Sequence, residues 1–166
     1  MKTILVPFLF SAFQLICGWH LYAQESHNGS EQHELINVLT GTWEGKLAGD
    51  TVCTWHFVSY GNNSLENNIT CTLGNEIVRE GKELWGYDIR NKQFMVARLY
   101  KGKVTEFWRC KAITNDIGEL VRIDPFDPES TLDKWLYEIR GTNTFIETQV
   151  TVSKRVEYTF KKVRDE

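Results

Sequence analysis

Between Thr42 and Val163 the chain is interrupted at short intervals by turn residues: Ala48-Gly49-Asp50, Gly61-Asn62-Asn63, Leu73-Gly74-Asn75, Arg90-Asn91, Lys101-Gly102, Asn115 to Gly118 and Gly141-Thr142-Asn143. Gly and Asn accept the left-handed backbone that tight reversals need. The segments between them are rich in β-branched and aromatic residues and alternate in polarity, which is the signature of strands. They read as Thr42–Leu47, Thr51–Tyr60, Leu65–Leu73, Glu76–Asp88, Gln93–Tyr100, Lys103–Ile113, Glu119–Ile123, Thr131–Arg140, Thr144–Val152 and Arg155–Val163. Short turns make sequential strands antiparallel neighbours. A meander this long curls until its first and last strands meet, because closure removes the exposed edges. The expected fold is all-β, an antiparallel up-and-down barrel of about eight to ten strands.

The N-terminal part has a different pattern. Lys2 supplies a positive start, Ile4 to Ile16 is almost unbrokenly apolar, and Leu21-Tyr22-Ala23 ends on a small residue. This is the pattern of a secretory signal peptide, with cleavage expected after Ala23. Residues 1–23 are thus a leader and residues 24–166 the folded domain, secreted or periplasmic. Gln14, Gly18 and His20 weigh against an uncleaved anchor, so no integral membrane segment is expected after cleavage. Lipidation at Cys17 is the lesser alternative, because Ile16 stands where a small residue is wanted. Further on, Ser30 is placed to cap a short helix whose apolar face is Leu35, Ile36, Val38 and Leu39 and which ends at Gly41.

Charge narrows the partners. The chain has 19 basic and 22 acidic side chains, and loss of Lys2 with the leader makes it one unit more acidic. A mildly acidic surface without a polybasic run excludes nucleic acid as an expected partner, since phosphate recognition needs clustered Lys and Arg. His27, His33 and His56 are scattered, and no phosphate loop, nucleophile elbow or zinc motif is present. No cofactor is expected. The aspartates of Asp124-Pro125-Phe126-Asp127-Pro128 read as a solvated turn.

Strand alternation gives candidate positions. With Tyr60 and Ser64 flanking the Gly-Asn-Asn turn, Cys53 falls opposite Cys71, Trp55 opposite Ile69 and Phe57 opposite Asn67, on an inward face. Opposed cysteines are near disulfide range, so a Cys53–Cys71 bridge is expected, with two reduced core thiols as the alternative. Cys110 is then left over. With Lys101-Gly102 as a two-residue turn, Met95, Ala97 and Leu99 share a face with Val104, Glu106, Trp108 and Cys110, and that face is the better core candidate. Arg98-Leu99-Tyr100 then points Arg98 and Tyr100 outward. Glu106 is a carboxylate on an otherwise apolar face, which suits a cavity wall or a rim. In Glu76–Asp88, Arg79 and Glu83 have the parity of Trp85 and Tyr87, unless a bulge at Gly81 switches it or the charges lie beyond the rim. Trp135, Tyr137 and Ile139 form another inward stripe, as do Val156, Tyr158 and Phe160.

A short helix, then Gly41-Thr42-Trp43, then a meander of strands resembles the calycin superfamily, and most of all its small bacterial secreted lipocalin-like domains. Leu39-Thr40-Gly41-Thr42-Trp43-Glu44-Gly45 and the later Gly86-Tyr87-Asp88 carry the likeness. The resemblance implies that Gly41 and Trp43 close the base of the barrel, with Arg155 packed across the indole. It also implies a small, largely apolar molecule as partner, and strand alternation puts forward Trp85, Tyr87, Glu106, Trp108, Trp135 and Tyr137 as the residues that line its cavity. The Thr-Asp-Tyr motif of classical lipocalins is missing, as are a late His for haem and a C-terminal fatty-acid-binding Arg-x-Tyr. Two alternatives stand beside binding: an enzyme using Glu106 and Glu83 as acid and base, or a filled barrel acting through its surface.

Overall fold

The β-strands follow the turn residues closely. A computed structural model describes residues 34–163 apart from residues 48, 102–104, 115, 128 and 152; the leader, Ser30 and Val104 lie outside the described residues. Residues 34–39 form a helical segment that buries Ile36 and Leu39 against the barrel. The strands are β1 (Gly41–Lys46), β2 (Thr51–Ser59), β3 (Ser64–Leu73), β4 (Glu76–Asp88), β5 (Gln93–Tyr100), β6 (Glu106–Ala112), β7 (Ile117–Ile123), β8 (Asp133–Arg140), β9 (Thr144–Val150) and β10 (Arg155–Val163). Each pairs antiparallel with its sequence neighbours, and β1 pairs with β10, so the sheet is a closed ten-strand barrel.

One half of the interior is packed solid. Trp43, Phe57, Leu65, Trp85, Phe94, Ile139, Phe145 and Phe160 are buried there, next to the helix. Trp43 is 1% exposed and donates its indole N–H to the Leu39 carbonyl at 2.8 Å, which ties the helix to the barrel floor. The Trp43 ring meets Phe145 edge-on at 6.1 Å, while Trp55 stacks on Phe160 at 3.7 Å. Gly45 makes room for that stack, since a Cβ there would come within 2.5 Å of the Phe160 ring. Gly118 likewise sits under the ring of Tyr137, its partner on β8.

Register agrees with the turn-based reading at β2–β3: Cys53 lies opposite Cys71, Trp55 opposite Ile69 and Phe57 opposite Asn67. It departs from it at β5–β6. There Phe94 lies opposite Cys110, Val96 opposite Trp108 and Arg98 opposite Glu106, one residue out of step with a two-residue turn at Lys101-Gly102. A one-residue slip moves every side chain of a strand to the other face. Phe94 and Val96 therefore face the core, and Met95, Ala97 and Leu99 face away from it. Two causes favour this register. Phe94 and Val96 bury more apolar surface than Met95 and Ala97. Pairing with β4 also sets Val96 beside Trp85 and Phe94 beside Tyr87. Arg98 and Tyr100 are consequently turned inward, which corrects the outward assignment. No switch of parity occurs at Gly81. The bulge lies nearer the start of β4, where Val78 is the extra residue between Ile77, opposite Thr72, and Arg79, opposite Cys71.

A second correction concerns Trp43. Its partner across β1–β10 is Lys162, whose Nζ lies 5.6 Å from the indole centroid. Arg155 is exposed at the far end of β10, opposite Val150. A position seven residues along an extended strand is about 23 Å away, beyond the reach of any side chain.

Candidate functional site

At the end opposite the helix the barrel is open, and a cavity of about 490 Å³ enters it. Every strand from β1 to β10 either lines it or flanks a lining strand. Its apolar wall is formed by Trp55, Ile69, Trp108, Trp135 and Tyr158, together with the Cys53–Cys71 pair. Those cysteines are joined in a disulfide with Cα atoms 4.0 Å apart. Cys110 is buried and unbridged. Burial pushes its thiol up to about 12, and it hydrogen-bonds to Tyr137, so it is a core group and not a reactive one.

The charged residues of the cavity are arranged in layers. Deepest is Glu83, 2% exposed. One of its oxygens accepts from Asn67 Nδ2 at 2.9 Å and from Trp85 Nε1 at 3.0 Å, and the other is held by Arg98 Nε. The Arg98 guanidinium also lies 5.1 Å from the Trp108 centroid. Burial acts against the Arg98 charge, but the attraction and hydrogen bond of Glu83, joined by Tyr100 and Glu147, together outweigh it and raise the Arg98 pKa, so the guanidinium stays charged inside the barrel. Nearer the mouth, Glu106 accepts from Trp108 Nε1 at 3.2 Å and from Arg122 Nη1 at 3.4 Å, and Arg79 rests 4.8 Å over the Tyr100 ring. Asp133 accepts from Trp135 Nε1 at 3.2 Å.

A repeated step underlies this pattern. In Glu83-Leu84-Trp85, Glu106-Phe107-Trp108 and Asp133-Lys134-Trp135, an indole N–H reaches the carboxylate two residues earlier on the same strand. Residues i and i+2 of a strand share a face, so an acid and a Trp at that spacing meet without any turn or loop. The three steps fall on β4, β6 and β8 and put the carboxylate on the mouth side of each indole. This spacing is visible in the sequence and is the signal that marks the polar lining.

Of the six residues expected to hold a ligand, Glu106, Trp108 and Trp135 line the cavity. Trp85, Tyr87 and Tyr137 lie deeper. Trp85 packs edge-on against Phe57 and Phe94, Tyr87 packs against Phe94, and Tyr137 stacks on Phe145. They share the inward face but belong to the filled half, which corrects their assignment to the cavity. Arg98, Tyr100, Arg122, Glu147, Trp55 and Tyr158 line it in addition. The Asp124–Asp127 turn closes on itself through a backbone bridge, and no cluster of metal-ligating side chains occurs among the described residues.

Comparison with known proteins finds no matching family model, no matching curated protein and no matching solved structure.

Proposed function

We propose that this chain is a secreted or periplasmic calycin-like barrel that binds a small, largely apolar molecule, with a polar end, in its open cavity. One observation carries the reading: one end of the barrel is filled and the other holds about 490 Å³ of space among indole and phenol rings. That volume is in the range of small-molecule sites, which combine apolar walls with a few fixed polar groups. The aromatic walls hold the apolar body, and Glu106 meets the polar end. Open space favours binding over a surface-only role. Glu83 has both oxygens engaged, which weighs against its use as an acid or base. A disulfide on the cavity wall fits an oxidising compartment.

Native mass spectrometry of the protein exported by its own host tests the reading. The expected spectrum contains a bound small molecule that is lost on denaturation. Glu106→Gln is expected to weaken its retention, and unchanged retention removes Glu106 from the site. Absence of a bound mass, together with no uptake of an apolar fluorescent probe, refutes cavity binding.

A further inference from the structure

Seven charged side chains line or underlie the cavity: Arg79, Arg98 and Arg122 against Glu83, Glu106, Asp133 and Glu147. Six of them are matched to groups of the protein. Arg98 is held by Glu83, Arg122 by Glu106, Asp133 by the Trp135 indole, and Arg79 by the Tyr100 ring. Glu147 is the remaining one. It lies mid-strand on β9, 8% exposed, and faces the cavity. Among the described residues neither a hydrogen bond nor an ion pair reaches its carboxylate. Arg98 attracts it but is already engaged by Glu83, and a largely buried carboxylate with no hydrogen bond of its own is costly, so a fold keeps one where something else supplies the partner.

We propose that the ligand supplies the missing positive charge: Glu147 anchors the cationic nitrogen of an amine whose apolar body lies among Trp55, Trp108, Trp135 and Tyr158. This rests on the cavity-binding reading above and specifies its ligand class. Charge balance selects a cation. With Glu147 ionised the deep interior holds one guanidinium and two carboxylates, so an ammonium group makes it neutral, whereas an anionic ligand adds to the imbalance. The walls beside Glu147 fit as well. Trp135 on β8 and Tyr158 on β10 stack at 5.8 Å on either side of β9, and aromatic faces attract cations.

The groups facing Glu147 set its response to pH. Tyr137 and Tyr158 flank it on β8 and β10, Arg98 faces it from β5, Glu83 from β4 and Cys110 from β6. Burial pushes the Glu147 carboxyl up to about 7, with Arg98 opposing and Glu83 adding to the shift. An amine binds the ionised form, so its affinity is expected to rise about tenfold between roughly pH 6 and pH 8 and its binding at pH 7 to release about half a proton.

The test is calorimetric titration of the disulfide-bonded protein with phenethylamine, phenethyl alcohol and phenylacetate, which share a body and differ in charge. The amine is expected to bind tightest, with proton release that shows when buffers of different ionisation enthalpy are compared. Glu147→Gln, checked for native fold by circular dichroism, is expected to lose about tenfold or more for the amine alone and to abolish the pH dependence. If the variant does not fold, proton release by the wild type decides. Equal or tighter binding of the alcohol or phenylacetate overturns the amine proposal and leaves cavity binding standing. Amine binding without proton release, or unchanged in a folded Glu147→Gln, also overturns it. If none of the three binds, the amine proposal fails, and uptake of the apolar probe then decides whether cavity binding fails with it.

Discussion

Arg98 on β5 and Glu83 on β4 form an ion pair inside the barrel, directly across from each other in the sheet. Glu83 is 2% exposed and Arg98 17%. The pair is supported by Asn67, Trp85 and the face of Trp108, so the charges are held by hydrogen bonds as well as by each other. Such a support gives the cavity a fixed polar floor above the apolar half.

Removing one partner of this pair leaves the other charge buried and alone. Arg98→Ala and Glu83→Ala are each expected to cost about 3–5 kcal/mol. The double variant Arg98→Met with Glu83→Leu is expected to recover much of that loss, since neither charge is then stranded. Urea unfolding of the three variants measures it, and additive losses in the double variant would contradict coupling between the two residues.

Trp43 closes the floor. Trp43→Ala is expected to destabilise by about 3–5 kcal/mol through the cavity it leaves. Lys162→Met removes the cation over the ring and is expected to cost about 0.5–1 kcal/mol, whereas exposed Arg155→Ala stays within about 0.5 kcal/mol of wild type. A larger loss at Arg155 than at Lys162 would return the packing role to Arg155.

Cys71 lies 18 positions after Cys53 in the chain, so their bridge restricts a short loop of the unfolded chain. Cys53→Ser with Cys71→Ser is expected to cost about 3 kcal/mol. Without reductant, alkylation of the unfolded protein is expected to label Cys110 and neither of the paired cysteines. Labelling of all of them shows the bridge to be absent.

Strand limits and the β2–β3 register were legible because Gly61-Asn62-Asn63 has the residues a reversal needs, and Gly61 does adopt a left-handed backbone with φ of 67°. The face of β5 was not, because one residue more in the β5–β6 connection reverses it and composition does not count loop residues. Depth along the axis was also hidden. Alternation says that Trp85, Tyr137 and Trp135 all point inward, but not that the first two lie in the filled half. Glu147 gave no signal either. Thr144 to Thr148 are buried on both parities, since Ile146 is only 3% exposed, so β9 has no polar face against which an inward carboxylate stands out.

Glu147 also makes stability depend on pH. Its folded pKa is raised from 4.5 to about 7, so between these values the folded state holds a proton that the unfolded state has lost. Folding is therefore favoured by protonation, and the Glu147 contribution is full below about pH 4.5 and declines as pH rises toward about 7. The decline amounts to about 2–4 kcal/mol. Glu66, Asp88 and Glu138 act oppositely. Hydrogen bonds from Lys82, Asn91 and Arg140 respectively lower their pKa values, so their contributions are lost only as pH falls below the ordinary carboxylate range. The window from about pH 5 to 8 thus isolates Glu147 among these shifted carboxylates. Urea unfolding of the ligand-free protein across that window is expected to show stability falling with pH, and Glu147→Gln is expected to flatten the profile and to be the more stable protein at the alkaline end. A wild-type profile that is flat or rises over this range would place the Glu147 carboxyl in water or against an unrecognised cation, and would remove the strain that a bound amine is proposed to relieve.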